Sequence, residues 1–230
     1  MLKFIITVGL NMKNISKEDY LSEIYKNVNS SGHIKANLIA EKLQISSAAV
    51  TDMLKKLSRE GHIKYQPYRG AELTGQGREY ARNMVRRHRI WEVFLHQIVG
   101  LPWDKVHDEA HHLEHSGSDE LIDRMEEMLN FPDFDPHGDP IPSKNGILPK
   151  QKKNVALTYL TQNQKGTVIR VKDFDSNFLS YLSKIGIKLN KKIEVSEVLN
   201  FDNSMLVKIN GKQINLSHTI AANIFVEIQK

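Results

Sequence analysis

The first part of the chain alternates between helical periodicity and short polar breaks. After Ser16, a candidate N-cap, apolar residues recur at helical spacing over 20–28, which predicts an amphipathic helix. Two shorter helices are predicted over 34–45 and 46–60, and Gly61 is expected to stop the second. Two short helices joined by a tight polar turn are typical of a helix-turn-helix.

The segment that follows, "HIKYQPYRGAELTGQG", has the apolar-polar alternation of two strands around a turn at "PYRG". A hairpin at this place predicts a winged helix-turn-helix, although small helical domains with a hairpin also exist that do not bind DNA. Polar and basic side chains favour DNA binding, since their chemistry suits base edges and phosphates. The candidates are Ser46, Ser47, Thr51, Lys55, Lys56 and Arg59 on the second helix, and Lys64 and Arg69 on the hairpin.

Three longer helices are predicted next: one over 77–99, one after Asp104 as its N-cap, and one over 119–131. Apolar stripes on such helices need a partner, and a second copy of the chain is the simplest one, so a homodimer is expected. The prolines and glycines of 132–153 have the composition of a linker. Several short strands follow, with a type I′ hairpin signal at Asn210–Gly211, and predict a small barrel.

Composition excludes some chemistry and leaves the rest open. The net charge of +5 favours an anionic partner such as nucleic acid without requiring one. With no cysteine, the chain has no disulfide, thiolate zinc site or cysteine nucleophile. The opening "MLKFIITVGLN" is too short to span a bilayer, and Met12 could equally be the natural start. We therefore expect a cytoplasmic protein with no membrane association.

Histidines and carboxylates are concentrated in "KVHDEAHHLEH", residues 105–115. On one helix, His107, His111, Glu114 and His115 would share a face, because they fall at i, i+4, i+7 and i+8. His88 and Glu92 form another i, i+4 pair on the preceding helix. Antiparallel packing would then give one candidate metal site from His88, Glu92 and His107, and another from His111, Glu114 and His115. Both sets need further ligands for a divalent ion.

Two other interpretations of this region remain open. A solvated face is the simpler one, and we assign His112 to such a surface, along with His33, His62, His96, His137 and His218 as structural residues. "HHLEH" at 111–115 also matches H-x-x-E-H, in which two histidines bind zinc and the glutamate is a general base. A zinc metallohydrolase is therefore the alternative function, although such an enzyme has no use for a winged helix.

The chain resembles the diphtheria-toxin-repressor family of metal-dependent transcriptional regulators from about Met12 to its end. The most specific similarity lies in "RHRIWEVFLHQIVGLPWDKVHDEAHHLEHSGSDEL", which follows the family pattern H-R-x-x-E and V-H-x-E-A-x-x-x-E-H. "ISSAAVTDMLKKLSREGHIKY" is similar to the family's recognition helix and wing, and "GDPIP" to its end-of-domain signature. His111 stands where the family often has cysteine or glutamate.

The resemblance implies two metal sites. His88, Glu92 and His107 match the ancillary site, and Asp19, His111, Glu114 and His115 match the primary one. Asp19 stands where the manganese-sensing branch has aspartate and the iron-sensing branch methionine. A carboxylate is a hard ligand that suits Mn²⁺, so Mn²⁺ is the expected cofactor and Fe²⁺ the alternative.

The expected protein is mainly α with a small all-β C-terminal domain. It comprises a winged helix-turn-helix over 12–75, a helical metal-binding and dimerisation domain over 76–150, and an SH3-like barrel over 151–230. The resemblance implies a repressor of metal-ion uptake genes and not an enzyme. It would bind a palindromic operator in double-stranded DNA as a homodimer when metal binds where the DNA-binding and dimerisation domains meet.

Overall fold

The structure, a computed structural model, describes residues 16–28, 32–172 and 175–229. The opening segment and the alternative start at Met12 lie outside these residues. The chain divides into two compact units, one up to Met84 and the other from Val85 onward. None of the described helices is both long enough and apolar enough to cross a membrane.

The first unit is a winged helix-turn-helix, as predicted. Its elements are α1 (Lys17–Asn27), β1 (His33–Ile34), α2 (Ala36–Leu43), α3 (Ser47–Arg59), β2 (Ile63–Gln66) and β3 (Gly70–Leu73). The strands pair antiparallel in the order β1-β3-β2. Gly70 makes this close pairing possible, because a Cβ there would lie 2.1 Å from the Ile34 carbonyl oxygen. Leu21, Ile24 and Leu54 are completely buried between the helices and the sheet.

Helix α4 (Gly75–Phe94) starts in the first unit and continues in the second, where it runs into a π-helical turn at Leu95–Val99. Helices α5 (Val106–Leu113) and α6 (Asp119–Met128) follow. The predicted N-cap at Asp104 is wrong: Lys105 takes that position, because its N–H bonds to the Pro102 carbonyl in a turn that delays the helix.

The segment expected to be a linker is only partly one. Asp135, His137 and Ile141 are buried, so its first half belongs to the core of the second unit. Gly138 has φ +91°, and a Cβ there would lie 2.1 Å from the Ile169 carbonyl oxygen. The Val171 N–H donates to the His137 carbonyl at 2.9 Å, which fastens the segment to a strand of the C-terminal sheet.

The C-terminal part is an all-β domain of the SH3-like kind, as predicted. Its strands are β4 (Val155–Ala156), β5 (Lys165–Val171), β6 (Lys192–Val198), β7 (Met205–Ile209), β8 (Lys212–Leu216) and β9 (Ile224–Ile228), with α7 (Ser176–Lys184) and α8 (His218–Ala221) between them. The strands pair antiparallel in the order β4-β9-β5-β6-β7-β8. Asn210 and Gly211 have φ of +50° and +79°, as a type I′ turn requires.

Candidate metal centre

The first group of potential ligands, which we call the inner cluster, consists of His88, Glu92 and His107. His88 and Glu92 lie one turn apart on α4, and His107 lies on α5. His88 Nε2 is 3.0 Å from Glu92 Oε1 and 3.1 Å from His107 Nδ1, and His107 Nδ1 is 3.1 Å from the same Glu92 oxygen. The structure therefore brings together the three residues that the sequence grouped.

The inner cluster carries charge in a buried place. Burial favours neutral Glu92, but His88, His107 and His137 together hold the pKa of its carboxyl well below the usual value. Burial likewise lowers the pKa of His88, and the opposing charges and hydrogen bonds of Glu92 and Glu114 raise it above the usual value. Among the described residues, no donor reaches the buried Oε2 of Glu92. A buried carboxylate oxygen without a donor, beside imidazole nitrogens, fits a divalent cation.

The second group, the outer cluster, consists of His111, Glu114 and His115. Glu114 Oε1 is 3.0 Å from His111 Nδ1 and 3.3 Å from His115 Nε2. Burial raises the pKa of Glu114, but hydrogen bonds from His111 and His88 outweigh this and lower it to about 2. The side chains of His111 and His115 are 34% and 28% exposed, so this cluster opens to solvent. Its imidazole and carboxylate side chains also suit a divalent ion.

Helix α5 ends earlier than the sequence indicated, which changes how the outer cluster is built. Only His111 lies within the helix, whereas Glu114 is its C-cap and His115 lies beyond it. The prediction that four ligands share one face of a continuous helix was therefore wrong. The side chain of Arg87 closes the helix end: its Nε donates to the Glu114 carbonyl at 3.0 Å, and its guanidinium also binds the Gly117 carbonyl and Asp119. Arg87 thus satisfies carbonyls that the helix leaves without partners.

The two clusters are joined by one histidine. His88 directs Nε2 toward Glu92 and His107, while its Nδ1 lies 2.6 Å from Glu114 Oε2. A histidine that presents one nitrogen to a metal and donates the other N–H to a carboxylate has a fixed orientation and tautomer. His88 can therefore hold an ion in the inner cluster while it positions a ligand of the outer one.

Asp135 and His137, which the sequence analysis did not select, border the inner cluster. Together with Glu92 they offer three ligand atoms within 4.8 Å of one another. His137 Nε2 donates to the Trp103 carbonyl at 2.8 Å, which turns Nδ1 toward Glu92 Oε1 at 3.8 Å. Burial, with the nearby charges of Glu92 and Asp139, raises the pKa of Asp135 to about 7. Their position in a proline-rich segment concealed them; the histidine within "DPHGDP" was the available signal.

Asp19 belongs to the first unit, where it closes a capping box at the start of α1. Its Oδ2 accepts from the Ser16 N–H at 2.7 Å and from the Ser16 hydroxyl at 3.1 Å. The Ser16 hydroxyl oxygen in turn accepts from the Asp19 N–H at 3.3 Å. This reciprocal bonding holds the Asp19 side chain in a defined position at the N-terminus of α1.

The predicted DNA-binding residues lie on α3 and on the hairpin of β2 and β3. Ser46 N-caps α3, since its hydroxyl oxygen accepts from the Ala49 N–H, and Thr51 donates its hydroxyl hydrogen to the Ser47 carbonyl. Thr51 is half-buried, and the other side chains expected to contact DNA are exposed: Ser46, Ser47, Lys55, Lys56 and Arg69. At the tip of the hairpin, the sequence analysis did not select Tyr68, which is completely exposed and has φ +69°.

Three family models cover most of the chain. They are the iron-dependent repressor N-terminal DNA-binding domain over residues 14–71, the iron-dependent repressor metal-binding and dimerisation domain over 74–143, and the FeoA domain over 155–228. Each candidate metal ligand in the second unit lies within the match to the metal-binding and dimerisation domain.

Curated relatives and solved structures are regulators of the same kind. The diphtheria toxin repressor of Corynebacterium efficiens is 30% identical over 91% of this chain and 94% of its own length. The regulator MntR of Oceanobacillus iheyensis is 34% identical over 52% of this chain and 81% of its own length. A structure described as a manganese-dependent transcriptional repressor in complex with manganese superposes with a TM-score of 0.85, at 34% identity, over 93% of this chain and all of that one.

The hydrolase interpretation of "HHLEH" gains no support from these comparisons, because the family model that covers it is that of an iron-dependent repressor and the relatives named above are transcriptional regulators. The geometry also differs from that of a helical H-x-x-E-H site. His115 lies beyond the end of α5, and Glu114, the expected general base, is held between His88, His111 and His115.

Proposed function

Because this chain belongs to the diphtheria-toxin-repressor family of metal-dependent DNA-binding transcriptional repressors, we propose that it represses metal-ion uptake genes in response to Mn²⁺, with Fe²⁺ as the alternative ion. The observation that carries the proposal is the pair of clusters joined through His88. Six ligand-type residues, among them Glu92 with a buried carboxylate oxygen that has no donor, all lie in the matched metal-binding domain and fit a protein that binds divalent ions.

The choice of ion rests on the ligand types. We propose Asp19 as a ligand of the primary site together with His111, Glu114 and His115, on the strength of the sequence resemblance. Carboxylate oxygens and imidazoles without any sulfur suit Mn²⁺, and also serve Fe²⁺. Relatives named for each metal exist: MntR and a manganese-dependent repressor on one side, and iron-dependent repressors on the other.

Activation would follow from the distribution of these ligands along the chain. Asp19 lies on α1 of the DNA-binding unit, whereas the other ligands belong to the second unit. An ion bound by all four would order the protein for DNA binding and meet the conformational cost before the operator is reached. In a homodimer, ordering would fix the separation of two α3 helices against the half-sites of a palindrome.

We propose that α3 enters the major groove. Ser46, Ser47 and Thr51 at its N-terminal end would approach base edges, and Lys55, Lys56 and Arg69 would contact phosphates. Loss of a phosphate contact should weaken binding to all sequences equally and reduce its salt dependence.

The function is tested by retention of genomic DNA fragments on the purified protein. Parallel samples contain Mn²⁺, Fe²⁺ without oxygen, Zn²⁺ or a chelator. Enrichment of a few palindromic fragments with Mn²⁺ above all other conditions would support the proposal, and stronger enrichment with Fe²⁺ would assign the alternative ion. Equal retention in chelator would contradict metal-dependent repression by this chain.

The ligand assignment is tested by Asp19→Ala and His115→Ala, with His112→Ala as the matched control. His112 is an exposed neighbour on α5 that belongs to neither cluster. We expect the first two variants to lose metal-activated operator binding while they keep the dimer mass, and His112→Ala to behave as the unaltered protein. Normal metal activation in Asp19→Ala would contradict the assignment of Asp19 as a ligand and would leave the assignment of the outer cluster unchanged.

A further inference from the structure

The chain carries net positive charge in two places, the winged helix and the C-terminal all-β domain. Residues 1–75 contain 11 lysines and arginines against 7 acidic residues, and residues 76–150 contain 9 against 14. Residues 151–230 contain 12 lysines and arginines against 6 acidic residues, whereas residues 1–150 contain 20 against 21. The C-terminal all-β domain therefore has a formal charge of +6 and the rest of the chain −1. Charge asymmetry of this kind points to a polyanionic partner for the basic part.

Three of these lysines lie on one face of the C-terminal sheet. Lys165, Lys192 and Lys208 are exposed and alternate with the buried residues of β5, β6 and β7. The register places Lys165 and Lys208 on either side of Glu194, and Lys192 two residues before Glu194. With strands about 4.8 Å apart, the Cα atoms of Lys165 and Lys208 are separated by about 10 Å. We call these three residues the lysine face.

The carboxylates on this surface offset little of its charge. Glu194 pairs with Lys165 at 3.3 Å, and Glu227 on β9 pairs with Lys152 at 2.8 Å. Within the described part of the chain, neither Lys192 nor Lys208 has an ion-pair partner. Lys188 and Lys191, both exposed, lie in the turn that leads into β6 and add further charge. Polar residues neighbour the lysines in the sheet: Thr167 on β5 pairs with Lys192, and Gln213 on β8 pairs with Lys208.

We propose that the lysine face contacts DNA phosphates as a second, sequence-independent DNA-binding surface, in addition to the winged helix. This inference rests on the proposed function, because a chain that binds DNA brings its other domains close to a polyanion. Lysines at this spacing, mixed with hydrogen-bonding side chains and with few carboxylates, suit a phosphate backbone and carry no means of reading bases.

A rival occupant is the acidic segment 76–150 of a second copy, which has 14 acidic residues against 9 basic ones. DNA is favoured, because much of that acidic charge is already engaged. Glu92, Glu114 and Asp135 are buried beside histidines and Arg89, and Asp123 and Glu126 pair with Arg86. These five carboxylates are therefore not available to attract a lysine surface, and the others do not form the continuous row of charges that a phosphate backbone presents.

The test compares two double variants of the full chain with Mn²⁺ present. Lys192→Gln with Lys208→Gln removes the unpaired charges of the lysine face. Lys153→Gln with Lys172→Gln is the control: it removes the same charge from two exposed lysines of the same domain, one before β4 and one at the far end of β5. Fluorescence anisotropy then gives the affinity for an operator duplex and for a random duplex of equal length, over a range of salt concentrations.

We expect the slope of log K against log salt concentration to fall by between about 1 and 2 for the lysine-face variant, on both duplexes, and to stay unchanged for the control. Mn²⁺ affinity and dimer mass should stay the same. An unchanged slope for the lysine-face variant would overturn the proposal. If that variant also lost the dimer, the lysine face would be assigned to contact with a second copy. If the unaltered protein shows no metal-dependent operator binding, the proposed function fails instead.

Discussion

The inner and outer clusters use the same ligand types in opposite surroundings. Glu92 of the inner cluster is completely buried, and its carboxylate is surrounded by the imidazoles of His88 and His107 and by that of the bordering His137. In the outer cluster, two partly exposed imidazoles flank Glu114 at the C-terminal end of α5. The inner cluster is thus part of the core and preorganised, whereas the outer cluster is open to an ion, to solvent and to a further ligand. The first resembles a structural site and the second a sensing site.

The largest effect is expected from Glu92→Ala, which tests whether the inner cluster is part of the core. Removal of one partner from a buried charged network typically costs about 3–5 kcal/mol of unfolding free energy, and His88 would lose one of its two carboxylate partners while Glu114 remains. We expect a loss of that size in the metal-free protein, measured by urea denaturation at neutral pH, together with loss of one bound Mn²⁺. Glu92→Gln is the control, because it keeps the shape of the side chain and removes only its charge. Unchanged stability in Glu92→Ala would show that the inner cluster is not part of the core.

Arg87→Ala tests whether the outer cluster depends on its helix end. Without the guanidinium, the carbonyls of Glu114 and Gly117 lose their donors, and the segment with Glu114 and His115 should loosen. Loss of a residue that orients metal ligands typically lowers affinity by about 10–100-fold. We expect that drop for the outer cluster alone, measured by Mn²⁺ electron paramagnetic resonance. An equal drop at both clusters would argue that Arg87 acts on the whole unit.

The pH dependence of metal binding should also separate the clusters. Protons compete with metal for imidazoles, and the pKa of His88 is raised. Its proton is therefore lost only at higher pH, so Mn²⁺ should leave the inner cluster first as the pH falls from about 8 toward about 6. Variants with His107→Ala or His115→Ala isolate one cluster each, and isothermal titration calorimetry measures them. Loss from the outer cluster first would contradict the expected order.

The smallest expected effect concerns Asp135 in the metal-free protein. Its folded pKa of about 7 lies above the ordinary value, so the folded state binds a proton that the unfolded state releases. The stability from that proton is complete at acidic pH and is lost as the pH rises through about 7. Asp135→Asn, which imitates the protonated acid, should therefore raise the melting temperature by several °C near pH 8 and by little near pH 5. Equal shifts at both pH values would exclude titration of Asp135 as the cause.

The sequence predicted what depends on local periodicity. His88 and Glu92 at i, i+4 on α4 and His107 at the next helix led to the inner cluster, and the hairpin alternation led to the wing. It failed where tertiary contacts decide. Helix α5 stops at Leu113, and Arg87, far away in the sequence, donates to the carbonyl of Glu114 at its end. Asp135 and His137 are buried by packing against α4 and β5, which no composition of a proline-rich segment reveals.

The attachment of Gly138 to the C-terminal sheet bears on how such genes can be shortened. The backbone that carries His137 runs so close to Ile169 that only glycine fits, and Val171 and Arg170 bind it on either side, the latter through Asp139. The carbonyl of Trp103 orients His137, and its indole N–H donates to Ser183 of the C-terminal domain. A stop codon before the barrel would therefore remove the barrel and also the contacts that hold Asp135 and His137 in place. In a shortened protein, other contacts would have to position Asp135 and His137, or these two residues would no longer border the inner cluster.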